Sequence, residues 1–188
     1  MNLLVFSLAA WVLFGLELGL KDTLRIGPHA VAPSFVLPLA VFIATYAPPI
    51  TARWACLLLG LLMDLTSQID IQGGQAITAI GPYALGYLMA CQFVLAVRSM
   101  MIRKNPLTLV VLTILAGIIM QILVVALLSA REVYDPIIWP AGSQLVTRFL
   151  SSLYTGVTAF ICSLILIPMV GLFAFHQPYA RRTFRMRS

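Results

Sequence analysis

Long apolar runs, broken by short polar or proline-marked gaps, organise the whole chain. A spanning helix needs about 20 mostly apolar residues to cross a hydrocarbon core about 30 Å thick. Six segments approach that description. The first covers about Leu3 to Leu20 and stops at Lys21-Asp22. The second covers about Ala30 to Tyr46, is interrupted by Pro33 and Pro38, and is closed by Pro48-Pro49. The third runs from about Thr51 to Ser67 and the fourth from about Ile77 to Val97. The fifth runs from Pro106 to Ser129, with Pro106 suited to a first helical position. The sixth starts near Leu145 and reaches about Phe175, with Pro168 as a kink or local end. No stretch is long or polar enough for a soluble domain. The expected architecture is all-α, a polytopic bundle of six transmembrane helices over residues 1–175 with a basic cytoplasmic tail over 176–188.

The third segment departs from the rest. Its strongly apolar part, Trp54 to Leu65, is short, contains Asp64, and runs on into Thr66-Ser67-Gln68-Ile69-Asp70. A short span with a polar end is tolerated only where protein or a watery cavity surrounds it. At 1.5 Å per residue, Asp64 lies roughly 15 Å along the axis from Trp54, near the midplane or a little outside it. Ala52, Cys56, Gly60, Asp64 and Gln68 recur every four residues, so one face carries small side chains and ends in a carboxylate and an amide. A carboxylate at membrane depth costs a few kcal/mol, and Asp64 reads as the lone interior acid. It serves as a helix-packing staple accepting hydrogen bonds from a neighbouring helix, as a ligand or proton site, or as a partner contact.

Composition agrees with lipid as the solvent: 61% of residues are hydrophobic and 10% charged, and the mean hydropathy is +1.01. The net charge of +6 does not form a nucleic-acid face, because the basic residues gather at segment ends and at the C-terminus. Arg98, Arg103 and Lys104 follow the fourth segment without an acid, and Arg181, Arg182, Arg185 and Arg187 follow the sixth. Arg53 falls between the second and third. The opposite loops are mixed, with Lys21, Asp22 and Arg25, then Asp70, then Arg131, Glu132, Asp135 and Arg148. Six spans bring the basic segments to one side, and the positive-inside rule places both termini in the cytoplasm. The arginine-rich tail reads as an anchor on anionic lipid. The start of the chain lacks a basic leader region and an A-x-A site, so the first segment is expected to be retained.

Other positions carry two readings each. Gly15 and Gly19 form a GxxxG pair, used either for packing within the bundle or for docking another protein's helix. Glu17 between them is expected to pair with Lys21 at the interface. In the fourth segment Gly86 and Ala90 form a small-xxx-small pair, while Tyr83 and Tyr87 line a pocket or join an aromatic belt. Gln92 and Gln121 are expected as interior amides bonding between helices. The stretch Arg131 to Pro140, with Tyr134 and Trp139, reads as an interfacial anchor or an extracytoplasmic docking surface. Cys56, Cys91 and Cys162 sit singly in apolar runs and read as small packing residues. There is no P-loop, HExxH or GxSxG, and His29 and His176 lie apart at segment edges. No nucleophile–base pair can be named, so no catalytic residue, cofactor or metal site is expected.

Two stretches carry a family resemblance. Gly60-Leu61-Leu62-Met63-Asp64-Leu65, followed across a glycine-containing loop by Ile80-Gly81-Pro82-Tyr83-Ala84-Leu85-Gly86-Tyr87-Leu88, resembles the rod shape-determining protein MreD family. That family shows a similar G-L-L-x-D step, then a glycine followed by an apolar helix with a G-Y-like pair. The resemblance implies a non-enzymatic inner-membrane scaffold of the cell-wall elongation machinery. It would work with MreC and with the peptidoglycan polymerase and transpeptidase of lateral wall growth. The implied fold is a six-helix bundle like the S components of energy-coupling-factor vitamin transporters. Gly60 and Asp64 would then shape the interior or a partner groove, and MreC's membrane helix would pack on Gly15 and Gly19 or on Gly60. The alternative is an S component or other small-solute transporter, in which Asp64, Gln68, Tyr83, Tyr87 and Gln92 converge on an outward-facing pocket. In that class an A-x-x-x-A stripe on the first helix meets the coupling subunit, and Gly15-x-x-x-Gly19 stands in its place here.

Overall fold

The structure, a computed structural model, describes residues 2–20, 23–25, 31–70, 76–100, 105–132 and 141–174. Six α-helices form the body: α1 (Leu3–Leu20), α2 (Val36–Tyr46), α3 (Pro49–Thr66), α4 (Pro82–Val97), α5 (Pro106–Glu132) and α6 (Ala141–Leu166). Between α3 and α4 a small antiparallel pair intervenes, β1 (Gln68–Asp70) with β2 (Ala76–Thr78), Ile69 opposite Ile77. Pro168–Gly171 form a 3-10 turn after α6. The protein is an all-α polytopic membrane protein. Four of its helices, α1, α3, α5 and α6, are long and apolar enough to cross a bilayer, while α2 and α4 are shorter.

The helix ends sort into two groups. At one end, Asn2 N–H donates to Phe173 O at 2.9 Å, and the last turns of α2 and α4 meet through Arg98. Phe42, Tyr46 and Phe173 stack there, with centroids 5.0 and 5.4 Å apart. At the other end, the C-terminal turns of α1 and α3 meet the N-terminal turns of α2 and α4.

The axis of the bundle is α2. Residues Val36 to Thr45 are all buried, as expected of a helix that is apolar all round. Sequence reading starts this segment near Ala30, but the helix begins only at Val36. Its 11 residues cover roughly 16 Å at 1.5 Å each, about half a hydrocarbon core. Pro38 falls in the first turn, where a missing N–H is harmless. Similarly α4 starts at Pro82, after the strand pair, and not near Ile77. At α6 the error runs the other way, for the helix begins at Ala141, a full turn before Leu145, and ends at Leu166 ahead of Pro168.

The faces follow lipid logic. On α6, Ser152, Thr155, Ala159, Cys162 and Leu166 are buried, while Phe149, Leu153, Val157, Phe160 and Leu164 are exposed. Small and hydroxyl side chains meet the neighbouring helices and large apolar ones point away. On α3 the face marked by Ala52, Cys56, Gly60 and Asp64 is buried, as its four-residue spacing requires. All three cysteines are buried free thiols. Gly60 brings α3 against α4: a Cβ there would stand 2.7 Å from Ala84 Cα and 2.8 Å from Tyr83 O.

Candidate functional site

Two carboxylates fix where the short helices begin. Asp64 is fully buried, and its oxygens accept from the backbone N–H groups of Gly81 (2.9 Å), Tyr83 (2.8 Å) and Ala84 (2.9 Å). These are the donors that the first turn of α4 leaves without intrahelical partners. Gly81 enters that turn with φ +123°, a conformation other residues adopt only with strain. Asp64 is thus an N-cap supplied from another helix, placed where the positive end of the α4 dipole favours an anion.

Glu17 does the same for α2. Its Oε2 accepts from the Ser34 hydroxyl at 3.1 Å and from the backbone N–H groups of Phe35 and Val36. Glu17, expected at the outer interface, is instead 4% exposed and points into the bundle; its expected partner Lys21 lies outside the described residues. Asp64 is not the lone interior acid. The physical reason for the burial of Glu17 is that a helix N-terminus offers a carboxylate several fixed donors. At the far end of α2, Arg98 Nη1 donates to Ala44 O at 2.9 Å and Ala47 O at 2.7 Å. Beyond any role in topology, Arg98 thus closes α2 at its negative end, and α2 carries a matching charge at each terminus.

Beside Glu17 lies a half-enclosed cavity of about 180 Å³ to which all six helices contribute, α3 through Met63. Its lining is polar in an otherwise apolar protein and includes Tyr83, Tyr87, Gln121, Gln144, Arg148 and Ser151. Arg148 Nη1 donates to Tyr83 Oη and to Gln121 Oε1, both at 2.8 Å. The guanidinium also stands 5.6 Å from the Tyr83 ring centroid, within cation–π range. Ser34 closes one side: its N–H donates to Thr155 Oγ1 at 3.0 Å, and its carbonyl accepts from the Thr158 hydroxyl at 2.8 Å. Tyr87 is 1% exposed, and its hydroxyl has no hydrogen-bond partner among the described residues.

The residues expected to converge on a pocket do so only in part. Tyr83 and Tyr87 line the cavity and take the pocket role, not the belt role. Asp64 does not reach it. Gln92 is exposed on the surface of α4 and is not an interior amide, because it sits on the side of that helix away from buried Cys91 and Val94. Gln68 opens β1, and its side chain lies outside the described ones. Gly86 packs on α5, where a Cβ would stand 2.9 Å from Met120 Cγ. A Cβ at Gly15 or Gly19 would meet nothing within 4 Å among the described residues, and both face outward, so packing inside the described bundle does not use them. Arg103, Lys104, Arg181, Arg182, Arg185 and Arg187 lie outside the described residues, as does 133–140.

Arg148 is the residue sequence reading misplaced. It was counted with the charges around the preceding loop although the segment starting near Leu145 already contains it; it lies seven residues beyond Ala141, inside the span Gln144–Leu166. The signal was present: Gln144, Arg148, Ser151, Ser152 and Thr155 repeat at helical spacing and mark one polar face. Among the described residues, no group of three His, Cys, Asp or Glu side chains is arranged to hold a metal. No family model matches the chain, and neither a curated protein nor a solved structure is significantly similar to it.

Proposed function

We propose that this chain is a non-enzymatic scaffold of the cell-wall elongation machinery in the bacterial inner membrane, of the MreD type. In this reading the outward face of α1 docks the membrane helix of an MreC-like bitopic protein and so links it to the wall synthases. The observation that carries the reading is the contrast among helix glycines. Cβ atoms built at Gly60, Gly86, Gly117 and Gly156 would come within 3 Å of neighbouring atoms, whereas Gly15 and Gly19, like Gly142 in the first turn of α6, are open among the described residues. Leu4, Leu8 and Trp11 continue the same face of α1 and are exposed, leaving an apolar ridge that narrows to two glycines. Such a face allows close helix–helix approach in lipid.

The family resemblance gains support from where its two stretches sit. Gly60 and Asp64 are the direct packing and capping partners of 81–84, so the resemblance rests on one tertiary unit. With both termini in the cytoplasm, the arginine-rich tail and the 98–104 segment would face anionic lipid. The transporter reading is favoured by one observation, the polar cavity, but of its four expected residues with described side chains Tyr83 and Tyr87 line it and Asp64 and Gln92 do not. Co-expression with a tagged MreC-like partner separates the two. Gly15→Leu with Gly19→Leu is expected to abolish co-purification while leaving thermal stability unchanged. Undiminished co-purification would overturn the scaffold reading.

A further inference from the structure

Buried polar groups in folded proteins are nearly always hydrogen-bonded, so one that is not calls for a reason. Tyr87 is such a case. It is 1% exposed, it lines the cavity, and its hydroxyl has no hydrogen-bond partner among the described residues. A buried hydroxyl left without a bond is unfavourable, and a molecule entering the cavity would relieve it. Gln144 and Ser151 add an amide and a hydroxyl to the wall, while Leu37, Met63 and Met120 give it apolar surface. A few polar groups set among apolar ones is the usual make-up of a small-molecule site.

The charges of the wall decide the kind of molecule. Glu17 and Arg148 are its charged side chains, one acid and one base. Both are already engaged by the protein: Glu17 caps α2 and bonds Ser34, and Arg148 is held by Tyr83 and Gln121. An entering ion of either sign would give up its hydration without gaining an uncommitted counter-charge, and would face a like charge in the same wall. An uncharged molecule meets neither cost. We infer that the cavity is a binding site for a small uncharged solute bearing hydroxyl or amide groups, one of which is the hydrogen-bond partner of the Tyr87 hydroxyl. The volume of about 180 Å³ sets the size class: a small solute fits, a folded peptide does not. The site is separate from the open face of α1, since Gly15 and Gly19 do not line it. Variants at the two places therefore report independently.

The test uses the full chain in detergent and in nanodiscs. Thermal unfolding and calorimetry are run with erythritol, nicotinamide and uracil as uncharged probes. Their charged counterparts are threonate, nicotinate and the N-methylated nicotinamide cation. At least one uncharged probe is expected to bind saturably and raise the unfolding temperature, while the charged ones do not. Tyr87→Phe should lower that affinity about three- to tenfold, the effect of one hydrogen bond, and leave the unliganded protein as stable as before. Ser151→Leu, which places a larger apolar side chain in the cavity wall, should abolish binding. Neither variant alters Glu17 or Arg148. Because Tyr87→Phe removes no bond made within the described residues, it remains informative if Ser151→Leu fails to fold. Binding that Tyr87→Phe leaves undiminished overturns the inference. So does a charged probe that binds as tightly as its uncharged counterpart. No saturable shift with any uncharged probe also overturns it, in favour of a cavity that holds water alone.

Discussion

Replacing Asp64 by alanine should unfold the start of α4 before anything else. The change leaves three backbone donors, Gly81, Tyr83 and Ala84 N–H, without the acceptor they share. A hydrogen bond to a charged group is worth about 1.5–3 kcal/mol. Three such bonds set an upper figure of about 9 kcal/mol. Removing the carboxylate also removes its own desolvation cost, and the freed turn can relax toward water at the loop end. We expect about 3–5 kcal/mol of lost stability, well above the typical N-cap loss of about 1 kcal/mol. Asp64→Asn keeps one carbonyl oxygen and places an NH₂ against at least one donor, so about 1.5–3 kcal/mol should go. The assay is equilibrium unfolding in mixed micelles of rising denaturing-detergent fraction, paired with hydrogen exchange read at the amides of 81–84. Those amides should lose protection in Asp64→Ala while the middle of α5 keeps it. An alanine variant within about 0.5 kcal/mol of the parent, the range of uncommitted surface changes, would refute the capping account.

Gly60→Ala should cost about 1–3 kcal/mol, because its Cβ would meet the backbone of α4 and α3 would have to move. Gly15→Ala, with open space around it, should change stability by less than about 0.5 kcal/mol in the same unfolding assay. Glu17→Gln and Arg98→Met should each destabilise α2 by about 1–3 kcal/mol, through loss of charged hydrogen bonds at its N- and C-terminal ends respectively; unfolding midpoints of the two single variants and the double check this. Single cysteines introduced at 103 and 182 should react with a membrane-impermeant maleimide only from the cytoplasmic side; the native thiols are all buried and leave a low background.

Much of the bundle was legible because membrane helices announce themselves by hydropathy. Pro106 marks the start of α5 as read from the sequence, and the spacing of Ala52, Cys56, Gly60 and Asp64 gives the buried face of α3. Asp64 as a staple accepting backbone N–H groups was among the readings open at that stage. What hydropathy does not carry is the origin of a short buried helix. Pro33 and Ser34 break the run before Val36 without saying which of its apolar residues are helical, and α2 begins where Glu17, 19 residues earlier, supplies its cap. That partner is set by tertiary packing. Gln92 was misread because α4 is apolar nearly all round, so its sequence gives no preferred rotation. Arg148 was misread for a different reason: it was grouped by charge with the preceding loop, and the polar stripe it forms with Gln144, Ser151, Ser152 and Thr155 on α6 went unread.

The most direct test of the scaffold account is site-specific photocrosslinking in growing cells. A photoreactive residue at position 15, on the open face of α1, should form an adduct with the membrane helix of the bitopic partner. The same residue at position 92, also exposed but on α4, should not. Adducts at 92 with none at 15 would contradict the account and move the docking surface away from α1.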